Sequence, residues 1–233
     1  MGLCFVCSSL DVYAQDTGEI TYTHDKHLGK ESLPVYNGVR FSDPFRSTQE
    51  NFRYYKRYRP FKASVTYDGI TYDSINARYD LINGNLIIYS PGALSFFQVK
   101  LASEHIDSFK LDETPFVKAK LSENHNNDPQ KFYELSYNNS NSGLTLLVSR
   151  RKTPRAKRTL AGNAYYSFTT YKEYYLKKKD KYYRVNKRRD FIKLFPDHKQ
   201  EIRDYYRSYR RTERENPDLF LKNLISYLDK IYS

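Results

Sequence analysis

The sequence predicts an α+β fold: an antiparallel β-meander of roughly eight to ten strands, open or curled into a half-barrel or cup, followed by two or three C-terminal helices. Three observations predict it. Apolar residues alternate with period two, in short runs, from residue 62 to about residue 186. Turn dipeptides separate these runs at regular intervals, as expected of hairpin-linked antiparallel strands. Beyond residue 187 the apolar spacing changes to three and four, the repeat of a helix face.

The first 14 residues read as the remnant of a signal peptide. Leu3 to Val6 is apolar, and Val12-Tyr13-Ala14 matches the small-x-small rule for cleavage after Ala14. A basic region ahead of it is missing, so the true start is expected upstream of Met1. The expectation is an exported protein, periplasmic or associated with the cell envelope. Cys4 and Cys7 are the only cysteines. The folded body therefore has no disulfide framework, thiolate zinc site or cysteine nucleophile.

Residues 15–60 are weakly patterned and are expected to form an extended arm along the outside of the sheet. The β domain is expected over 61–186. Ala63-Val65-Tyr67 alternates up to Asp68-Gly69, a strong hairpin signal, and Ile70-Tyr72 follows. Ala77-Tyr79-Leu81 and Leu86-Ile87-Ile88-Tyr89 flank Asn83-Gly84-Asn85 as a second hairpin. Further strands are expected near 94–101, 105–111, 115–121, 131–137 and 143–151. A basic loop is expected over 150–163, then strands near 167–177 and 181–186. Residues 187–233 are expected to be helical and packed on the β domain. Ile202, Tyr205, Tyr206 and Tyr209 mark one helix, running to about Arg211. Asn216-Pro217 is a good cap and first position for the next. That last helix carries the stripe Phe220, Leu224, Tyr227, Leu228 and Ile231.

Val35-Tyr36-Asn37-Gly38, Tyr67-Asp68-Gly69-Ile70-Thr71-Tyr72, Arg78-Tyr79-Asp80-Leu81, the aromatic pairs from Phe168 to Tyr183, and Asp190-Phe191-Ile192-Lys193-Leu194-Phe195-Pro196-Asp197-His198-Lys199 follow one another along the chain. Together they resemble a group of exported Bacteroidota proteins without assigned activity. The resemblance spans roughly residues 33–233. It implies a secreted or envelope location and supplies no functional residues.

Charge is the main functional signal. Residues 1–149 hold 15 Lys+Arg against 17 Asp+Glu, whereas residues 150–233 hold 24 against 10, so the whole net charge of +12 arises in the last third. A field of one sign attracts anions without naming them. Thirteen residues are the candidate anion- or partner-binding set: Arg150, Arg151, Lys152, Arg155, Lys157 and Arg158 in the expected loop, and Lys177, Lys178, Lys179, Lys181, Lys187, Arg188 and Arg189 in and after the last hairpin. The six loop residues are expected to be exposed and to contribute little to stability. Tyr182 and Tyr183 lie among the second group, and interleaved cations and aromatics can bind nucleic acid. An exported chain rarely meets nucleic acid, so the expected partner is an anionic envelope component or an acidic protein surface. The bland alternative is a solvated face whose lysines discourage strand pairing.

Catalytic and metal signals are weak. His24-x-x-His27 has metal-like spacing but no further ligands in sequence reach. His105, His125 and His198 are isolated, and no nucleophile elbow, zinc-protease motif or phosphate-binding glycine loop is present. Asp112 and Glu113 sit where a turn is expected. No cofactor is expected, and no run of apolar residues is long enough to span a membrane as a helix. Strands this short, with charges on alternate positions, also fit an outer-membrane barrel poorly. The sequence thus favours a non-catalytic envelope protein that binds anions. A glycan hydrolase, or a binder of a small apolar ligand in a β cup, stand as alternatives.

Overall fold

The computed structural model describes residues 33–90, 97–121, 132–158 and 164–232. The Val12-Tyr13-Ala14 motif, both cysteines, His24, His27 and His125 lie outside them. The strands are β1 (Val39–Phe41), β2 (Phe61–Tyr67), β3 (Ile70–Asp80), β4 (Asn85–Tyr89), β5 (Gln98–Lys100), β6 (Ile106–Leu111), β7 (Thr114–Val117), β8 (Tyr133–Asn139), β9 (Leu144–Arg158), β10 (Ala164–Lys178) and β11 (Lys181–Arg184). They form one 11-stranded sheet in the order β1-β5-β4-β3-β2-β6-β7-β8-β9-β10-β11, every neighbouring pair antiparallel. The sheet does not close, and β1 and β11 are its edges.

Local turn chemistry sets much of the register. Asp68 and Gly69 join Tyr67 to Ile70 with φ of 50° and 76°, the pair of positive φ values that a two-residue hairpin with right-handed strand twist requires. Lys179 and Asp180 do the same between Lys178 and Lys181, with φ of 48° and 61° and no glycine. The two runs expected at 70–72 and 77–81 belong to one strand, β3. They are joined through Ser74 at φ 58°, where the register against β2 shifts.

The first half of the sheet curls. Tyr79 on β3 and Phe116 on β7 lie three strand spacings apart, roughly 14 Å on a flat sheet. Their ring centroids are 5.4 Å apart. Phe109 stacks on Phe116 at 4.7 Å and meets Phe132 at 5.1 Å, so aromatic rings fill the concave side. All four are nearly inaccessible to solvent and belong to one core with Val65, Leu86 and Ile88.

The arm takes part in this core more than its pattern suggests. Val39–Phe41 pairs with β5 as an edge strand, and Tyr54 and Tyr55 are buried. Arg53 is fully buried, and its Nε donates to Asp80 Oδ1 at 2.8 Å while Nη2 donates to Asp80 Oδ2 at 2.5 Å. This fork-on-carboxylate geometry fixes the arm to the end of β3. Gly38 lets β1 approach: a Cβ there would lie 2.4 Å from Val99 Cγ1 and 2.7 Å from the Lys100 carbonyl oxygen. Gly38→Ala is therefore expected to destabilise by about 1–3 kcal/mol in urea titrations, because a backbone oxygen cannot step aside cheaply. A loss under about 0.5 kcal/mol would mean that β1 can leave the edge freely.

The expected basic loop is corrected. Residues 150–158 are strand, paired with β10 from Thr145 opposite Lys177 to Arg158 opposite Ala164; residues 159–163 lie outside the described residues. Pro154 survives inside β9 for a geometric reason. The Lys152 N–H points away from β10, to the Leu81 carbonyl at 2.8 Å. Two residues on, the missing N–H of Pro154 falls on that same outer side, where no ladder bond is lost.

The helices are α1 (Arg188–Leu194), α2 (Lys199–Ser208), α3 (Arg210–Glu215) and α4 (Pro217–Tyr232). The expected single helix to Arg211 breaks at Tyr209, which sits at φ −110°, ψ 25°. Asn216 caps α4, its Oδ1 accepting the Leu219 N–H at 3.1 Å. Phe220, Leu221, Leu224, Ile225 and Leu228 bury one face of α4 against Leu144, Leu146, Val148, Tyr174 and Leu176 of the sheet. Rings clamp α2 to α4: Tyr206 meets Phe220 at 4.8 Å, and Tyr205 stacks on Tyr227 at 5.4 Å. Among the described residues, no helix is long and apolar enough to cross a membrane.

Candidate anion-binding surface

The structure divides the thirteen candidate cations into structural and solvent-facing groups. Arg150 is buried, contrary to the expected exposure, because alternation along β9 turns it toward the helices. Its Nε donates to Glu134 Oε2 at 2.6 Å and its Nη2 to Asp218 Oδ2 at 2.8 Å. The Tyr55 hydroxyl donates to the same Glu134 oxygen at 2.7 Å. Lys172 Nζ and the Tyr174 hydroxyl both donate to Asp218 Oδ1, at 2.9 Å and 2.5 Å. Arm, sheet and the start of α4 thus meet in one ion-pair knot. Burial alone would raise the Asp218 pKa, but hydrogen bonds from Tyr174 and Arg150, then the charge of Arg150 and a hydrogen bond from Lys172, hold it down at about 2. Burial likewise opposes charge on Arg150, and the bonds and charge of Glu134, then of Asp218, outweigh it and raise its pKa.

Lys152 and Lys178 are also engaged inside. Lys152 Nζ donates to the Phe52 carbonyl at 2.7 Å and lies 4.1 Å from the centre of the Phe52 ring. Burial lowers its pKa to about 8. Lys178 donates to the Leu194 carbonyl at the end of α1 and lies over Phe195. Lys177 pairs with Asp180 at 2.9 Å across its turn, and Arg151 approaches Glu173 at 3.9 Å.

Eight candidates face solvent, in three places. Arg155, Lys157 and Arg158 are exposed on the outer part of β9, and Lys179 and Lys181 on the last hairpin. Lys187, Arg188 and Arg189 instead line a groove of about 920 Å³ together with Arg203, Arg207, Arg210, Tyr206 and Glu213. One wall is the start of α1. The other is α2, where Arg203 and Arg207 stand one turn apart, continued by Arg210 at the start of α3. The only ion pair that any of these six cations makes among the described residues is Arg207 to Asp204, at 3.1 Å. Arg203, Arg207 and Arg210 were missed in the sequence. Their spacing of four and three, beside the stripe of Ile202 and Tyr206, was the signal that could have found them.

A smaller depression of about 430 Å³ is lined by Lys56, Glu113, Glu134, Asp218 and Lys222, among others. It brings carboxylates together, as a glycan hydrolase would need. Asp218, held ionised by its donors, is poorly suited to be the protonated acid of such a pair. His105 Nδ1 lies 2.8 Å from Asp68 on an exposed turn, and His198 Nδ1 lies 3.8 Å from Glu201. Asp112 occupies a turn at φ 48°. No group of three or more potential metal ligands converges among the described residues. No family model, curated protein or solved structure matches this chain.

Proposed function

We propose that the protein is a non-catalytic binding protein that engages an anionic surface or partner through its C-terminal helical layer. The groove carries the reading: six cations stand against one carboxylate among its lining residues, and the single ion pair they make among the described residues is Arg207 to Asp204. Like charges gathered without counter-charges cost stability, and a bound anion relieves that cost. The Val12-Tyr13-Ala14 motif supports an exported protein, which would set the groove against anions of the cell envelope. The alternatives are less supported. Aromatic rings occupy the concave side of the sheet where a small apolar ligand would sit. Glu134 and Asp218, two of the three carboxylates of the smaller depression, are engaged by Arg150, Lys172 and tyrosines.

The test compares wild type with Arg203→Ser/Arg207→Ser/Arg210→Ser on phosphatidylglycerol and phosphatidylcholine vesicles across a salt series. All three side chains are exposed, so the fold should be retained. Wild type should bind the anionic vesicles with an affinity that falls steeply with salt, and the variant should bind weakly with a shallower slope. Equal binding by both proteins would reject the groove. Binding by neither, even at low salt, would reduce the charge to a solubility feature.

A further inference from the structure

We propose, resting on the reading above, that the groove between α1 and the α2–α3 wall is a receptor for a compact group bearing two phosphates. Its cations converge from two walls onto one depression instead of following a strand or helix as a stripe. The volume, about 920 Å³, suits a head-group-sized ligand rather than a polymer segment. Five of the six cations are arginines. A guanidinium presents a planar fork of donors that grips phosphate in bidentate fashion, and a lysine ammonium does not. A groove built for charge alone gains nothing from this preference for arginine.

Charge sets the number of phosphates. Glu213 offsets one of the six cations, Asp204 pairs with Arg207, and the charge of Asp190 also reaches Tyr206, which leaves about three positive charges to be met. One phosphate monoester carries about −1.5 to −2 at neutral pH, so two phosphates balance the groove and one does not. Tyr206 lines the floor. Burial, then the charges of Glu213 and Asp190, push its hydroxyl pKa up, so it stays protonated and able to donate at neutral pH. With Lys187 just ahead of α1 and Arg188 and Arg189 in its first turn, the ligand ties α1 to α2 and α3.

The experiment measures affinity by calorimetry at fixed ionic strength. The probes are inorganic diphosphate, inorganic phosphate, polyglutamate, and phosphatidylcholine vesicles doped with a bis-phosphorylated lipid. Three proteins are compared: wild type, Arg203→Ser/Arg207→Ser/Arg210→Ser, and Arg203→Lys/Arg207→Lys/Arg210→Lys, each first checked for wild-type circular dichroism. Wild type should bind diphosphate at least about tenfold more tightly than phosphate, and more tightly than polyglutamate. The lysine variant keeps the charge and should still lose about tenfold or more of the diphosphate affinity. Tighter binding of the doped vesicles than of diphosphate identifies a lipid head group as the source; the reverse identifies a soluble bis-phosphate. A lysine variant that binds diphosphate like wild type, or polyglutamate bound as tightly as diphosphate, overturns this inference and leaves the anion-binding reading standing. Wild-type affinity in the serine variant overturns both.

Discussion

Replacing Arg150 by alanine is expected to cost about 3–5 kcal/mol of folding stability, the range seen when one partner of a buried ion pair is removed. Glu134 and Asp218 would keep their burial and lose the guanidinium that both accept from. Against a typical domain stability of about 5–15 kcal/mol, that loss removes between about a fifth and the whole of the margin. Arg155→Ala, on the same strand but exposed, should leave stability nearly unchanged. The Arg150→Ala/Asp218→Asn pair should lose less than the sum of its single changes, since the second removes a charge the first strands. The knot also gives an acid limit. Asp218 has a folded pKa of about 2, below its unfolded value near 4, so its contribution is complete above about pH 4 and disappears as pH falls toward 2. Urea titrations at pH 7, 4 and 3 should show this decline, and Asp218→Asn should flatten it. An Arg150→Ala protein as stable as wild type would mean that the knot is incidental to the fold.

Leu224→Ala is expected to cost about 2–5 kcal/mol. Leu224 is fully buried at the centre of the α4 face that meets Leu144, Leu146 and Val148. Truncation leaves a void between helix and sheet, and the surrounding β-branched and aromatic side chains can close it only in part. Tyr227 and Ile231 share the predicted stripe but are more than a third exposed. Tyr227→Ala should therefore cost less, mainly through its stacking on Tyr205. A Leu224→Ala loss below about 0.5 kcal/mol, in the range of surface changes, would mean that α4 does not dock on the sheet.

These two positions mark what the sequence made legible. Leu224 was readable because helix periodicity and the Asn216-Pro217 cap are local signals. Asp68-Gly69 was readable for the same reason, as a two-residue turn dictates its own backbone. Arg150 was not. Its burial depends on Glu134, 16 residues before it, and Asp218, 68 residues after it. Nor could residues 150–158 be read as strand, since six cations and a proline resemble a solvated loop until β10 is laid beside them. Pro154 fits only because its outer side faces away from β10, and that orientation follows from the Lys152–Leu81 bond between distant segments. The curl of the sheet was equally hidden, because alternation gives the buried face of each strand and not the angle between strands. The site was half legible. Lys187, Arg188 and Arg189 stand out as a run, whereas Arg203, Arg207 and Arg210 are dispersed and converge on them only through the packing of α2 on α1.

Hydrogen exchange of the wild-type protein, with phosphatidylglycerol vesicles and with phosphatidylcholine vesicles, tests the central claim most directly. It reports where an anionic surface touches the chain, independently of any substitution. Anion binding in the groove predicts slowed exchange at residues 187–190 and 203–213 with phosphatidylglycerol only, and unchanged exchange at 151–158 and 165–171. Slowing confined to the outer part of β9 and β10, or no slowing anywhere at low salt, would contradict it.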